Sequence, residues 1–224
     1  MQLNGFAGFA PGANRGGPVV VPVAEEIARY IRAKGLDRPA VIGHSMGGTI
    51  GTMLAARHPE MVGRLMTVDI MPFVGSMFGP PGSTSESVRP IADQMRKQLL
   101  AGPPGAPSSM LEQMVSEMTR TDSMRPVLLK YARESDLQTV ANSFREVIVT
   151  DLRPDLSRIT APMTVLYVIP VGLPIQAAEF ERSLRQSFAN ARGAHFVRID
   201  DSGHYIQIDQ PDRLVAEVAA FMSR

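Results

Sequence analysis

Pro39-Ala40-Val41-Ile42-Gly43-His44-Ser45-Met46-Gly47-Gly48-Thr49-Ile50 carries the strongest structural signal in the chain. The apolar run Ala40, Val41, Ile42 predicts a buried strand. Helix formers from Thr49 onward predict a helix, so residues 43–47 must turn the chain between the two. The turn reads Gly-x-Ser-x-Gly, a sharp strand-to-helix bend that holds a serine hydroxyl out at the carboxyl end of a sheet. Gly43 and Gly47 are expected to supply the room, because a Cβ at either place would crowd the crossing of strand and helix. Ser45 is therefore the candidate nucleophile. The N–H groups of Met46 and the residues after it open the helix, placing donors and a positive dipole end where an oxyanion would form.

Five residues alone are a weak signal, since glycine-rich strand-to-helix turns also hold phosphates. A Walker loop needs Lys-Ser/Thr after its last glycine, and neither residues 43–49 nor residues 12–18 provide one. The G-x-G-x-x-G dinucleotide fingerprint is absent from this turn as well.

Composition narrows the classes. A chain of 224 residues suffices for one domain with a sizeable core and an inserted subdomain. Its 23 basic and 22 acidic residues are spread without blocks, giving a formal net charge of +1, and no nucleic-acid partner is expected. The longest nearly unbroken apolar stretch, residues 163–175, contains Pro170, Gly172 and Pro174 and falls short of the about 20 residues that span a bilayer. No membrane span is expected, and the default location is soluble and cytoplasmic, with a lost upstream signal peptide left open. The absence of cysteine removes disulfides, a thiolate nucleophile and cysteine metal sites. Four histidines without H-x-H or H-E-x-x-H spacing argue against a metal site, and no cofactor is expected. Nothing in the sequence fixes the oligomeric state.

Asn4-Gly5-Phe6-Ala7-Gly8 precedes the serine turn by about forty residues. Together the two stretches resemble the α/β-hydrolase superfamily, in which a His-Gly-x-x-Gly oxyanion loop comes before the elbow; Asn4 stands where the His usually is. The resemblance implies an α/β fold, with a mostly parallel hydrolase sheet, flanking helices and an inserted helical cap. It also implies that Phe6 contributes a backbone N–H to the oxyanion beside that of Met46. Family members place a hairpin and a further strand before this loop, whereas four residues precede Gly5 here. The expectation is an N-terminally truncated sheet with an exposed edge.

Further along, residues 23–34 have the amphipathic spacing of a helix stopped by Gly35. Residues 64–72 read as a second buried strand carrying Asp69 near its carboxyl end. A lone acid in an apolar run is costly to bury unless paired, and functional groups gather at that edge of open α/β sheets. From residue 73 to 156 the Pro/Gly interruptions 79–82 and 102–107 separate helical runs at 88–100, 109–120, 123–134 and 136–149. The expected division places the first segment of the hydrolase core at residues 1–72, a helical cap at residues 73–156 and the second core segment at residues 157–224. Met110, Met114 and Met118 share a helical face with Leu111 and Val115, either as packing or as an adaptable lining for an acyl pocket.

Residues 163–169 read as a third buried strand. In most of the superfamily the next loop carries the catalytic acid, but Pro170–Gln176 holds none, and Glu179 falls in the following helix. The acid role passes to Asp69, with Asp200 and Asp201 as runners-up. Residues 194–200 read as the last strand, followed by Asp201-Ser202-Gly203-His204, which resembles the family's histidine loop and makes His204 the candidate general base. Asp209-Gln210-Pro211-Asp212 then opens an amphipathic helix to Phe221. His44, His58 and His195 are read as structural.

Ser45, Asp69 and His204 follow the chain order of the superfamily: nucleophile, acid, base. The resemblance implies a serine hydrolase, with carboxylesterase action on a small-molecule ester through an acyl-enzyme first. Thioesterase, perhydrolase and carbon–carbon hydrolase activities share the same three groups. The alternative is a catalytically impaired hydrolase fold that binds a hydrophobic small molecule.

Overall fold

A computed structural model describes residues 2–102, 108–170 and 176–223. In chain order the main elements are α1 (Val20–Ala33), β1 (Ala40–His44), α2 (Met46–Arg57), β2 (Arg64–Val68), α3 (Ser85–Leu100), α4 (Ser109–Glu117), α5 (Arg125–Glu134), α6 (Leu137–Val149), β3 (Met163–Tyr167), α7 (Ala177–Ser187), β4 (His195–Arg198), α8 (Ile206–Asp209) and α9 (Pro211–Ser223). Residues 171–175, within the loop from which an acid was found missing, and 103–107 of the second Pro/Gly interruption lie outside the described residues. Among those described, no helix is long and apolar enough to cross a membrane.

The chain divides into two compact units. One comprises Val20–Phe73 and Asp151–Arg224 and holds the sheet, whose four parallel strands lie in the order β1-β2-β3-β4. Because the strands are parallel, their carboxyl ends share one edge. Successive side chains leave a strand on opposite faces, and the core records this alternation. Leu65, Met163, Val165 and Tyr167 pack on one face with Ala28, Ile31, Leu54 and Ala55 of α1 and α2. Met66, Val68, Leu166 and Val197 pack on the other with Ile206 and Phe221. Covering on both faces is why the central strands read as nearly continuous apolar runs, interrupted only by the buried Thr67 and Thr164.

β1 is an edge strand, and Ile42 on it is 45% exposed, whereas Leu65, Met66, Val165 and Leu166 are fully buried. α1 starts at Val20, three residues before the predicted start. Pro22 is tolerated there because first-turn N–H groups have no intrahelical acceptor. α2 is apolar on every side and buried from Gly48 to Ala56, the mark of a helix enclosed by its own domain.

The other unit comprises Met1–Val19 and Val74–Thr150. Three of its helices begin on side-chain caps: Thr84 and Ser87 form a reciprocal capping box at α3, Ser108 caps α4 and Asp136 caps α6, whereas α5 follows Met124 without one. Leu99, Leu111, Val115 and Ala141 form its buried cluster, with Met110 and Met114 partly buried against it. The N-terminal loop is fastened to this unit by its backbone. Gly5 O accepts from Asp136 N at 2.8 Å, Ala7 N donates to Ser135 Oγ at 2.9 Å and Gly8 N donates to Glu134 O at 3.0 Å. Gly5 has φ +90°, and a Cβ there would lie 2.7 Å from Thr139 Cγ2, so the close approach requires glycine.

Candidate active site

The chain bends immediately after β1. Ser45 takes φ 53° and ψ −126°, a conformation that non-glycine residues adopt only when their surroundings impose it. Its N–H donates to Val68 O at 3.0 Å, fastening the turn to the end of β2. Its carbonyl accepts from Gly48 N at 2.8 Å and Thr49 N at 3.2 Å, so α2 begins at Met46, ahead of the run of helix formers that starts at Thr49. A Cβ on Gly43 would lie 2.2 Å from Gly47 O. The second crowded position is Gly48, where a Cβ would lie 2.5 Å from Ile70 Cγ2 and 2.9 Å from Gly43 O. At Gly47, expected to be the tight one, it would meet nothing within 4 Å. The helix crosses the strand one residue later than the motif alone indicates.

Asp69 directly follows β2, also with positive φ, at 50°. Its N–H donates to Leu166 O at 2.8 Å; its Oδ1 accepts from Val168 N at 3.1 Å and its Oδ2 from His204 Nδ1 at 2.7 Å. The carboxyl and imidazole side chains are 17% and 21% exposed, so the pair is shielded from most solvent screening. The acid in the apolar run is thus paired, as its burial requires. Donation from Nδ1 selects the tautomer whose Nε2 carries a lone pair, the form a general base needs.

His204 comes from the far side of the sheet. β4 and β1 are opposite edge strands, and the loop after β4 returns over the carboxyl ends of β3 and β2. Gly203 N donates to Asp209 Oδ2 at 2.8 Å, and His44 Nε2 lies 2.8 Å from His204 O. Since a carbonyl only accepts, His44 carries its proton on Nε2. The His44 and His204 ring centroids are 4.5 Å apart, and the Tyr205 ring lies 5.5 and 5.6 Å from them. Burial, and then the charge His204 would carry when protonated, push the His44 pKa down to about 4. Burial also raises the Tyr205 phenol. Among the described residues, neither Ser45 Oγ nor His204 Nε2 makes a hydrogen bond.

The remaining expected groups fall elsewhere. Asp200 pairs with Arg198 at 2.6 Å and is 66% exposed, while Asp201 has φ 55° and offers its carbonyl to Gln210. His58 closes α2 and contacts Glu25 at 3.0 Å, holding that carboxyl below its usual range. His195 is exposed at the start of β4. Phe6 belongs to the helical unit, and its N–H already donates to Leu3 O at 3.3 Å. Among the described residues no three His, Asp or Glu side chains group as metal ligands. Sequence reasoning missed His44, Tyr205 and Asp209 as neighbours of His204. The one available signal was a polar residue at the x of Gly-x-Ser, in a run that is otherwise apolar or small.

Comparison with known proteins gives a consistent answer. A family model described as the alpha/beta hydrolase family matches residues 6–218. The pimeloyl-[acyl-carrier protein] methyl ester esterase of Citrobacter koseri is 26% identical over 187 residues, 77% of this chain and 70% of that protein. The biotin biosynthesis bifunctional protein BioHC of Teredinibacter turnerae is 26% identical over 192 residues, 81% of this chain but only 32% of that longer protein. Among solved structures, an esterase from Exiguobacterium antarcticum superposes with a TM-score of 0.76 at 18% identity, covering 100% of this chain and 80% of that one. With a family match that runs nearly end to end and a parallel sheet bearing a strained serine turn at its carboxyl edge, the chain belongs to the α/β hydrolase family.

Proposed function

We propose that this chain is a serine hydrolase that cleaves a small-molecule carboxylic ester through an acyl-enzyme. The observation that carries the reading is the 2.7 Å bond from His204 Nδ1 to Asp69 Oδ2, formed between the ends of two different strands beside the Ser45 turn. In this mechanism His204 Nε2 takes the Ser45 proton as Oγ attacks the ester carbonyl carbon. Negative charge collects on the former carbonyl oxygen, where the N–H of Met46 at the start of α2 is a preorganised donor. His204 returns the proton to the departing alcohol, then deprotonates a water that attacks the acyl carbon and frees Ser45. Asp69 orients the imidazole and stabilises its charged form. Substrate binding has to bring Ser45 Oγ and Nε2 into hydrogen-bonding contact, a tightening common between free and occupied active sites. The relative from Citrobacter koseri, named as a methyl ester esterase, favours an ester over the thioester, perhydrolysis or carbon–carbon substrates that the same three groups could serve. Met110 and Met114 pack against the helical unit's own cluster, which favours the packing role for the methionine-bearing face.

One observation favours the second reading, a hydrolase fold that binds a hydrophobic molecule without turning it over. The Phe6 N–H, expected as the other oxyanion donor, is engaged with Leu3 O and would have to exchange that partner to serve. Turnover of short p-nitrophenyl esters decides between the two. The hydrolase reading expects measurable turnover that falls on the order of 10⁴-fold or more in Ser45→Ala. Absence of turnover in folded wild type, or its persistence in Ser45→Ala, gives the decision to the binding reading.

A further inference from the structure

Packing alone does not explain the elbow's own histidine. Burying an imidazole costs free energy, and an apolar residue at position 44 would fit the strand end with less penalty. The His44 side chain instead reaches a carbonyl 160 residues away in sequence, at His204. Three side chains bond to His204 or to the residue before it: Asp69 on the imidazole Nδ1, Asp209 on the Gly203 N–H, and His44 on the His204 carbonyl, while Gln210 holds the Asp201 carbonyl at the start of the loop. The first two fix the ring and the preceding residue. Of the three, the last ties this loop to β1, the strand that delivers Ser45.

We propose that His44 is a positioning residue: its Nε2–H, bonded to the carbonyl of His204, sets the base-bearing loop at a fixed height above the serine turn. This rests on the hydrolase reading above and goes beyond it by giving the variable position of the Gly-x-Ser motif a task. The geometry supports it in two ways. The peptide link from His44 to Ser45 makes one strand end carry both the nucleophile and the pin, so a displacement of β1 moves the two together. The His44, His204 and Tyr205 rings also meet in tilted and edge-on contacts beside the bond, and a half-buried setting of this kind strengthens a hydrogen bond relative to open water. The titratable groups facing His44 are His204, Asp69 and Tyr205. With His44 held neutral well below pH 7, the pin keeps its donor and adds no charge beside the imidazolium that forms during turnover.

The test uses His44→Phe, which keeps an aromatic ring and removes the donor, and His44→Gln, whose Nε2 lies the same number of bonds from Cα as that of histidine. The proposal expects His44→Phe to lose on the order of tenfold to a hundredfold in kcat, the scale of a small misplacement, with KM nearly unchanged. His44→Gln should recover most of that loss. Amide hydrogen exchange over residues 202–205 should accelerate in His44→Phe and stay near wild type in His44→Gln. Wild-type kcat and exchange in His44→Phe would overturn the proposal, as would equal losses in both variants with exchange unchanged. Should His44→Phe not fold, wild-type NMR decides: a slowly exchanging His44 Nε2 proton is expected, and its absence overturns the pin. A wild type inert toward esters would break the hydrolase reading alone, because the exchange and NMR measurements still decide whether the pin exists.

Discussion

The serine turn and the histidine loop lie at the same sheet edge but are held by different means. Around Ser45 the constraints are steric and borne by the backbone: Gly43 and Gly48 leave no room for a Cβ, and the backbone bonds run to Gly48 and Thr49 in the turn and to Val68 on the neighbouring strand. Around His204 they are polar and borne by side chains: His44 and Asp69 from distant strands, Asp209 and Gln210 from just beyond the loop. A steric turn is written in neighbouring residues and fails by clash. A loop held by side chains is written across the whole chain and fails one hydrogen bond at a time. The first is therefore expected to break as loss of fold and the second as loss of activity in a folded protein.

The largest separation should come from the loop's carboxylate. Asp69→Asn keeps the shape but replaces the acceptor of the Nδ1 proton, and turnover should fall by orders of magnitude, about 10⁴-fold in the comparable case of a triad aspartate. Asp200→Asn, at an exposed residue paired with Arg198, should leave turnover close to wild type. The reverse ranking would show that the wrong carboxylate has been assigned.

The elbow should respond in stability instead. Gly43→Ala drives a Cβ to 2.2 Å from a backbone carbonyl and should cost about 4 kcal/mol or prevent folding, whereas Gly47→Ala meets nothing within 4 Å and should be nearly neutral. Urea unfolding of the two variants compares them directly. Equal midpoints would mean that the helix can shift to admit the methyl group.

The smallest effect concerns acid. The folded-state pKa of His44, about 4, lies below the ordinary value of 6.5, so the unfolded chain takes up a proton that the native protein refuses. Its contribution is fully present above pH ~6.5 and is lost as pH falls from there toward 4, by about 3 kcal/mol at most. His44→Phe lacks this titration, so the stability difference between wild type and variant should shift toward the variant between pH 7 and pH 4.5. Parallel stability curves would place His44 in a more solvated setting.

The same contrast explains what could be read from sequence. The turn at Ser45, the parallel strands and the position of Asp69 at a strand end follow from short patterns of small and apolar residues. The pairing of Asp69 with His204 was expected because an acid in an apolar run needs a partner and the loop before α8 offered one. His44 went unseen because its partner is set by the path of the loop across the sheet, which no local pattern records; Asp209, only six residues from Gly203, was read simply as the start of the following helix. Gly48 was passed over for Gly47 because the motif marks the turn, whereas the crossing of α2 over β1 decides which residue is crowded. At the N-terminus a glycine pattern pointed to Phe6, and the tertiary contacts of its loop run to the start of α6 instead.

The central claim is that Ser45 is a nucleophile activated by His204. Treatment of the folded protein with a fluorophosphonate, followed by peptide mapping, addresses it most directly. A single phosphonyl adduct on Ser45 is expected, with its formation greatly slowed in His204→Ala. No adduct in folded protein, an adduct on another residue, or equal labelling of His204→Ala would contradict it.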